Sequence, residues 1–207
     1  MSLQEKPKLG CDVDGVVIDF IGYLLPFANR LLGTRVTYDQ LFSFHPAECF
    51  GVTEDEFKAV HDQFHREVYR HDDTPRFEEA FLALSRLQSK FELHFLTAAQ
   101  DHLVDIRTAY LQRHFPGCEV HFTQGFSTIL GEMPGRVTKF RKAVELGLLA
   151  MIDDNPHEIE EWDPSQVPLI VHPQPWNART PEVHQHIPRL DWPGTEAYLA
   201  ALVTASV

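Results

Sequence analysis

Leu9-Gly10-Cys11-Asp12-Val13-Asp14-Gly15-Val16-Val17-Ile18-Asp19-Phe20 is the stretch on which the reading of the chain turns. An apolar run leads into two aspartates one residue apart, then a glycine, more apolar residues and a third aspartate. Carboxylates at i and i+2 would share a face of a continuing strand, but Gly15 lets the chain turn out of the sheet at that point. The expectation is two acids at the carboxyl end of a buried strand, where open α/β sheets bind their ligands. Such a place suits a metal and a phosphate. Capping of a following helix is the plainer alternative, yet a cap needs one aspartate and leaves the others unexplained.

Outward from this stretch, apolar residues recur at helical spacing from Phe20 to Leu32, with Gly33 as the stop. Tyr38 to Gly51 carries Phe42, Phe44 and Phe50 without a clean period. Thr53-Glu54-Asp55-Glu56 reads as a capping box that opens a helix reaching about Tyr69. No strand signal appears from about Gly22 to Thr74. Residues 22–74 therefore read as a small helical insertion, closed by a hinge-like turn at His71-Asp72-Asp73-Thr74-Pro75. Residues 1–21 and 75–207 form the core. There, helix Phe77–Gln88, strand Phe91–Thr97, helix Asp101–His114 and strand Glu119–Phe122 follow one another. A loop spans Thr123 to Gly135, then come helix Thr138–Leu146, strands Leu148–Ile152 and Val167–Val171, and helix Gly194–Val203. This alternation predicts an α/β fold with a parallel sheet flanked by helices.

The 207 residues suffice for one large domain or a domain with a modest insertion. A formal charge of −12 argues against a nucleic-acid polymer as partner, because phosphate contacts need clustered Lys and Arg. A small phosphorylated substrate stays open, since a cation held by carboxylates reverses the local field. No apolar run reaches the roughly 20 residues of a membrane span, and the first residues lack a secretory apolar core, so a cytoplasmic location is the expectation. Cys11, Cys49 and Cys118 are too scattered for a disulfide framework or zinc cluster. Among twelve histidines, His184 and His186 read as surface residues in a Pro-rich segment.

Three strand ends carry chemistry: Asp12/Asp14, Thr97 and Asp153/Asp154. In a parallel sheet they converge if their strands are neighbours. Asp12 suits nucleophilic attack on phosphorus, and Asp14 suits protonation of the leaving oxygen followed by activation of water. Thr97 offers a hydroxyl, and Ala98 a backbone N–H, to the transferring phosphoryl oxygens. Asp153 is a hard oxygen ligand for magnesium. Lys139 can neutralise phosphate charge, with Lys142 as a competitor one turn later. Asp153-Asp154-Asn155-Pro156 could equally cap the next helix.

Taken together, Asp12-x-Asp14-Gly15-Val16, Thr97, Lys139 and Ile152-Asp153-Asp154 resemble the four ordered motifs of the haloacid dehalogenase superfamily. The resemblance implies a Rossmann-like core, a helical cap inserted after the first motif, and Mg2+ bound by Asp12, the Asp14 main-chain carbonyl and Asp153, with Asp154 in support. Within that superfamily the second aspartate marks phosphatases rather than dehalogenases, and Asp14 is present. A narrower resemblance is to the 5'(3')-deoxyribonucleotidases and their bacterial and phage relatives. It rests on Asp19-Phe20, Asp153-Asp154, Gln174-Pro175-Trp176-Asn177 and Arg189-Leu190-Asp191-Trp192. It implies that Phe20 lines a nucleoside pocket completed by cap aromatics, with Phe44, Phe42 and Phe50 as candidates. The expectation is thus a phosphomonoesterase acting on a small phosphorylated metabolite, foremost a nucleoside monophosphate. A sugar-phosphate phosphatase and a non-catalytic binding protein of the same fold are the alternatives. A homodimer is common among such enzymes.

Overall fold

A computed structural model describes residues 5–69, 74–99, 101–124, 135–178 and 187–205. Residues 71–73 of the expected 71–75 turn, the interior of the loop at 125–134, and His184 and His186 lie outside them. Five parallel strands stand in the order β3-β2-β1-β4-β5: β1 is Lys8–Cys11, β2 Glu92–Thr97, β3 Glu119–Phe122, β4 Ala150–Asp153 and β5 Leu169–Val171. Strand β1 pairs with β2 on one side and β4 on the other, with Cys11 opposite Phe95 and Ile152. The three strand ends singled out in the sequence are therefore neighbours, as convergence requires. Gly10 is needed in the centre of β1: a Cβ there would lie 2.4 Å from a Leu148 methyl and 2.6 Å from the Met151 sulfur.

Alternation of side chains divides the sheet into two covered faces. Leu9, Cys11, Leu93, Phe95 and Ile152 pack against α4 (Glu78–Leu87), α5 (Val104–His114) and α8 (Trp192–Ala205). Leu96, Met151, Leu169 and Val171 pack against α6 (Lys139–Leu146) and α7 (Pro156–Glu161). Between β1 and α4, helices α1 (Phe20–Leu32), α2 (Pro46–Phe50) and α3 (Glu54–Glu67) build a separate apolar cluster around Leu24, Phe27, Phe57 and Phe64.

Local chemistry sets most boundaries. Asp19 caps α1 by accepting from Gly22 N at 2.9 Å, and Gly33 ends the helix in a left-handed conformation. Thr53 and Glu56 form the reciprocal capping box of α3. Several limits differ from expectation: β5 begins at Leu169 rather than Val167 and α5 at Val104 rather than Asp101, and for β4 and α8 the cause is visible. Strand β4 begins two residues later, although Leu149 N still donates to Lys8 O at 2.8 Å, so pairing builds up gradually. Helix α8 starts at Trp192 rather than Gly194, because Asp191 accepts from Gly194 N at 2.9 Å and Pro193 sits in the first turn. Among the described residues no helix is long and apolar enough to cross a membrane.

Candidate active site

Asp12 directly follows β1, and its amide donates to Ile152 O at 2.8 Å, holding the chain against β4 until it turns away. The turn depends on Gly15. Its φ of +79° disfavours a side chain, and a Cβ would lie 2.3 Å from an Asp154 carboxylate oxygen. The loops after β1 and β4 thus touch at the one residue without a side chain.

Lys139 closes the arrangement from the first turn of α6. It is 4 % exposed, and its ammonium donates to Asp12 Oδ2 at 2.7 Å and to Asp153 Oδ2 at 2.8 Å. Lys142 instead pairs with Glu145 at the surface. Asp153 and Asp154 are not the caps of α7: the Asn155 side chain accepts from His157 N at 2.9 Å and fills that role. Asp153 Oδ1 accepts from Asn155 N at 2.9 Å, and Asp154 Oδ2 accepts from the Trp176 indole at 2.8 Å.

The electrostatics are unbalanced. Oxygens of Asp12, Asp153 and Asp154 all lie within 4.8 Å of one another, with one ammonium among them. Burial pushes the Asp12 carboxyl up, Lys139 pulls it back and Asp153 raises it again, leaving it at about 7. Burial and then Asp12 and Asp153 hold the Asp154 carboxyl well above its usual value. Burial works against the Lys139 ammonium, yet Asp12, Asp153 and Glu158 keep its pKa well above that of an ordinary lysine. A buried surplus of carboxylate oxygens of this kind fits a hard divalent cation that prefers oxygen ligands.

Two residues escaped the sequence reading. Arg107 on α5 is 3 % exposed, and its guanidinium grips both oxygens of Asp14, at 2.5 and 3.1 Å. It also donates to Thr97 Oγ1 at 2.7 Å, so Thr97 meets Asp14 through the arginine. A signal existed: Arg107, Tyr110 and Leu111 share the buried side of α5, placing a charge within an apolar stripe. Glu158 on α7 adds another carboxyl, pushed by burial up to about 8, with one oxygen lacking a hydrogen-bond partner among the described residues.

A cleft of about 200 Å³ opens above these groups. Asp12, Asp14, Ala98, Lys139 and Arg107 line its floor, and Phe20, Phe44, Phe57, His61 and His65 line its walls. Phe20 is also part of the aromatic packing of α1 on α3, with its ring 5.6 Å from that of His65. Phe42 points to solvent, 49 % exposed, and Phe50 packs on Phe57, so of the three cap phenylalanines considered Phe44 lines the cleft.

The carboxyl-terminal segment braces the floor. Gln174 donates to Gly15 O at 2.6 Å and accepts from the Tyr38 hydroxyl at 3.0 Å. Asn177 donates to Asp154 O at 2.7 Å and to His172 O at 2.8 Å, and Arg189 donates to Asn177 Oδ1 at 2.5 Å.

No family model matches the chain, and neither does any curated protein. Solved structures do. A protein assigned as a phosphoglycolate phosphatase, from Lactobacillus delbrueckii subsp. bulgaricus, superposes with a TM-score of 0.62 at 16% identity, covering 94% of this chain and 98% of that one. A haloacid dehalogenase-like family hydrolase from Streptococcus pneumoniae gives 0.58 at 13% identity, with coverage of 94% and 98%. A magnesium-bound HAD-hydrolase from Bacillus subtilis, YfnB, gives 0.50 at 19% identity, with coverage of 96% and 99%. At these identities the likeness speaks for architecture, and the chain has the fold of the haloacid dehalogenase-like hydrolases.

Proposed function

We propose that the chain is a Mg2+-dependent phosphomonoesterase that works through an aspartyl phosphate on Asp12. The observation that carries this reading is the Asp12–Lys139–Asp153 contact at the carboxyl edge of the sheet, beside an Asp14 held by Arg107. A carboxylate oxygen of Asp12 attacks phosphorus and the ester oxygen leaves, protonated by Asp14. Asp14 then takes a proton from water as that water attacks the phosphorus of the intermediate, which releases phosphate and restores Asp12. Arg107 engages both Asp14 oxygens, so donation in the first step requires one of them to be freed. Lys139 offsets charge between the incoming phosphate and Asp12, and the Thr97 hydroxyl and Ala98 N–H would donate to the phosphoryl oxygens. Asp12, Asp153 and the Asp14 carbonyl, supported by Asp154, would hold Mg2+. The ion supplies neutralisation of the phosphoryl charge.

Residues 22–74 act as a cap that shields the reaction from water. The apolar and aromatic walls favour a leaving group with a flat or apolar part, and a nucleoside monophosphate is the foremost substrate. A non-nucleotide phosphoester is the second reading. It is favoured by the small cleft and by the phosphoglycolate phosphatase assignment of the Lactobacillus protein. Assay of a phosphomonoester panel with Mg2+ tests both. Wild type hydrolyses an aryl phosphate and loses that activity in excess chelator, while Asp12→Asn folds but turns over at least about 10³-fold more slowly. Full activity in Asp12→Asn would overturn the mechanism, and equal rates on nucleotides and sugar phosphates would overturn the nucleotide preference.

A further inference from the structure

On the α6-covered face of the sheet, away from the cleft, two histidines and two glutamates meet across β2 and the edge strand β3. Register explains how. His94 pairs with Glu119 and Leu96 with His121, so Glu92, His94, Glu119 and His121 all project to one side. His94 is 1 % exposed, an unusual setting for an imidazole with polar atoms on every side.

The proton count is what makes the cluster informative. His94 Nε2 lies 2.9 Å from Glu92 Oε1. A carboxylate only accepts, so in the neutral ring Nε2 carries the hydrogen and Nδ1 presents a lone pair. That lone pair faces His121 Nε2 at 3.0 Å and Glu119 Oε2 at 3.7 Å, and the latter two atoms are 3.5 Å apart. Three metal-ligating atoms thus converge, and a proton carried by His121 Nε2 serves only one of the two acceptors that face it. Ligand bonds of about 2.0–2.1 Å at tetrahedral angles separate neighbouring ligand atoms by about 3.3 Å. The observed triangle of 3.0, 3.5 and 3.7 Å brackets that value.

We propose that His94 Nδ1, His121 Nε2 and Glu119 form a second metal site, for a borderline transition cation of the Zn2+ class, that clips β3 to β2. Two imidazoles and one carboxylate select such an ion over Mg2+, which prefers oxygen ligands. Glu92 orients the His94 ring from behind, in the carboxylate–histidine–metal relay common to such centres. His121 and Glu119 are partly exposed, so water can complete the coordination. The ion displaces the His121 Nε2 proton to solvent, and no redox partner is required. Its consequence is structural: among the described residues β3 is an edge strand, paired on one side.

The test is zinc titration of the untagged full chain by calorimetry, in a large excess of Mg2+ to fill the carboxylate cluster. Wild type binds one equivalent of Zn2+, and its melting temperature rises by about 5 °C at saturating metal. His121→Ala and Glu119→Gln weaken binding by at least about 100-fold and Glu92→Gln by about 10-fold, while Asp12→Asn binds as wild type does. Circular dichroism of each metal-free variant establishes that it is folded, and Co2+ gives the intense visible bands of a tetrahedral site in wild type but not in His121→Ala. Should His121→Ala itself fail to fold, the milder His121→Gln takes its place. Absence of zinc binding in wild type, equal binding in folded His121 variants, or loss of binding in Asp12→Asn would each overturn the proposal.

Discussion

At the scale of single residues, Arg107 turns a pair of acids on a loop into an ordered cleft floor. Its fork fixes both Asp14 oxygens while its third contact fixes Thr97, geometry that an ammonium cannot reproduce. Arg107→Met is expected to lower kcat on an aryl phosphate by roughly 10²-fold with little change in KM, and Arg107→Lys to recover only part of that loss. Steady-state kinetics decide, and an unchanged kcat in Arg107→Met would mean that Asp14 needs no tether. The aspartates and Lys139 were legible in the sequence because each ends a strand or opens a helix in a recognisable order. Arg107 was not, since its place in the apolar stripe of α5 is a weak local signal that does not say what the guanidinium meets. Its partners are 93 and 10 residues away along the chain.

At the scale of elements, the turn Pro175–Asn177 acts as a strut between parts of the molecule that share no strand or helix. Gln174 binds the Gly15 carbonyl below it and the Tyr38 hydroxyl of the helical insertion beside it. Gln174→Ala leaves a buried carbonyl without its donor. The expected cost is about 1–3 kcal/mol in urea denaturation, with a drop in turnover as the Gly15 turn loosens. Stability equal to that of wild type would show that water replaces the amide. Elements of this kind are hard to read from sequence. The helix limits at Phe20 and Gly33 and the limits of β3 follow from caps and alternation within a few residues. The strut satisfies main-chain carbonyls far off in the chain, and the sequence offered only a family-like pattern at Gln174 and Arg189. For the same reason Asp153-Asp154-Asn155 was ambiguous: any of the three can cap a helix, and tertiary contacts assign the role to Asn155.

At the scale of the whole molecule, pH enters through the half-buried His172. The His172 ring packs against Trp192 at 5.3 Å, and its Nδ1 has no hydrogen-bond partner among the described residues. Burial lowers its pKa from 6.5 to about 4, against a small opposing effect of Asp191. The folded state therefore binds fewer protons than the unfolded chain between these values. The stability that neutral His172 allows is complete above about 6.5 and drains away as pH falls towards 4. Relative to its effect at pH 7.5, His172→Phe should stabilise the protein at pH 5 by about 2 kcal/mol. Denaturation at the two pH values measures this, and parallel losses in both proteins would assign the acid sensitivity to other groups. The central position of β1 has a further consequence, for the order of events during synthesis. The strand that carries Asp12 is made first, yet it gains β2 only after the helical insertion and β4 only near residue 150, and Gln174 lies 159 residues beyond the Gly15 it supports. A nascent chain emerging amino-terminus first thus holds Asp12 without its Lys139 counter-charge until well past the half-way point, later than Asp14 gains Arg107. The Asp12–Lys139–Asp153 contact can form only late, once β4 has docked beside β1 and α6 has brought Lys139 to both acids.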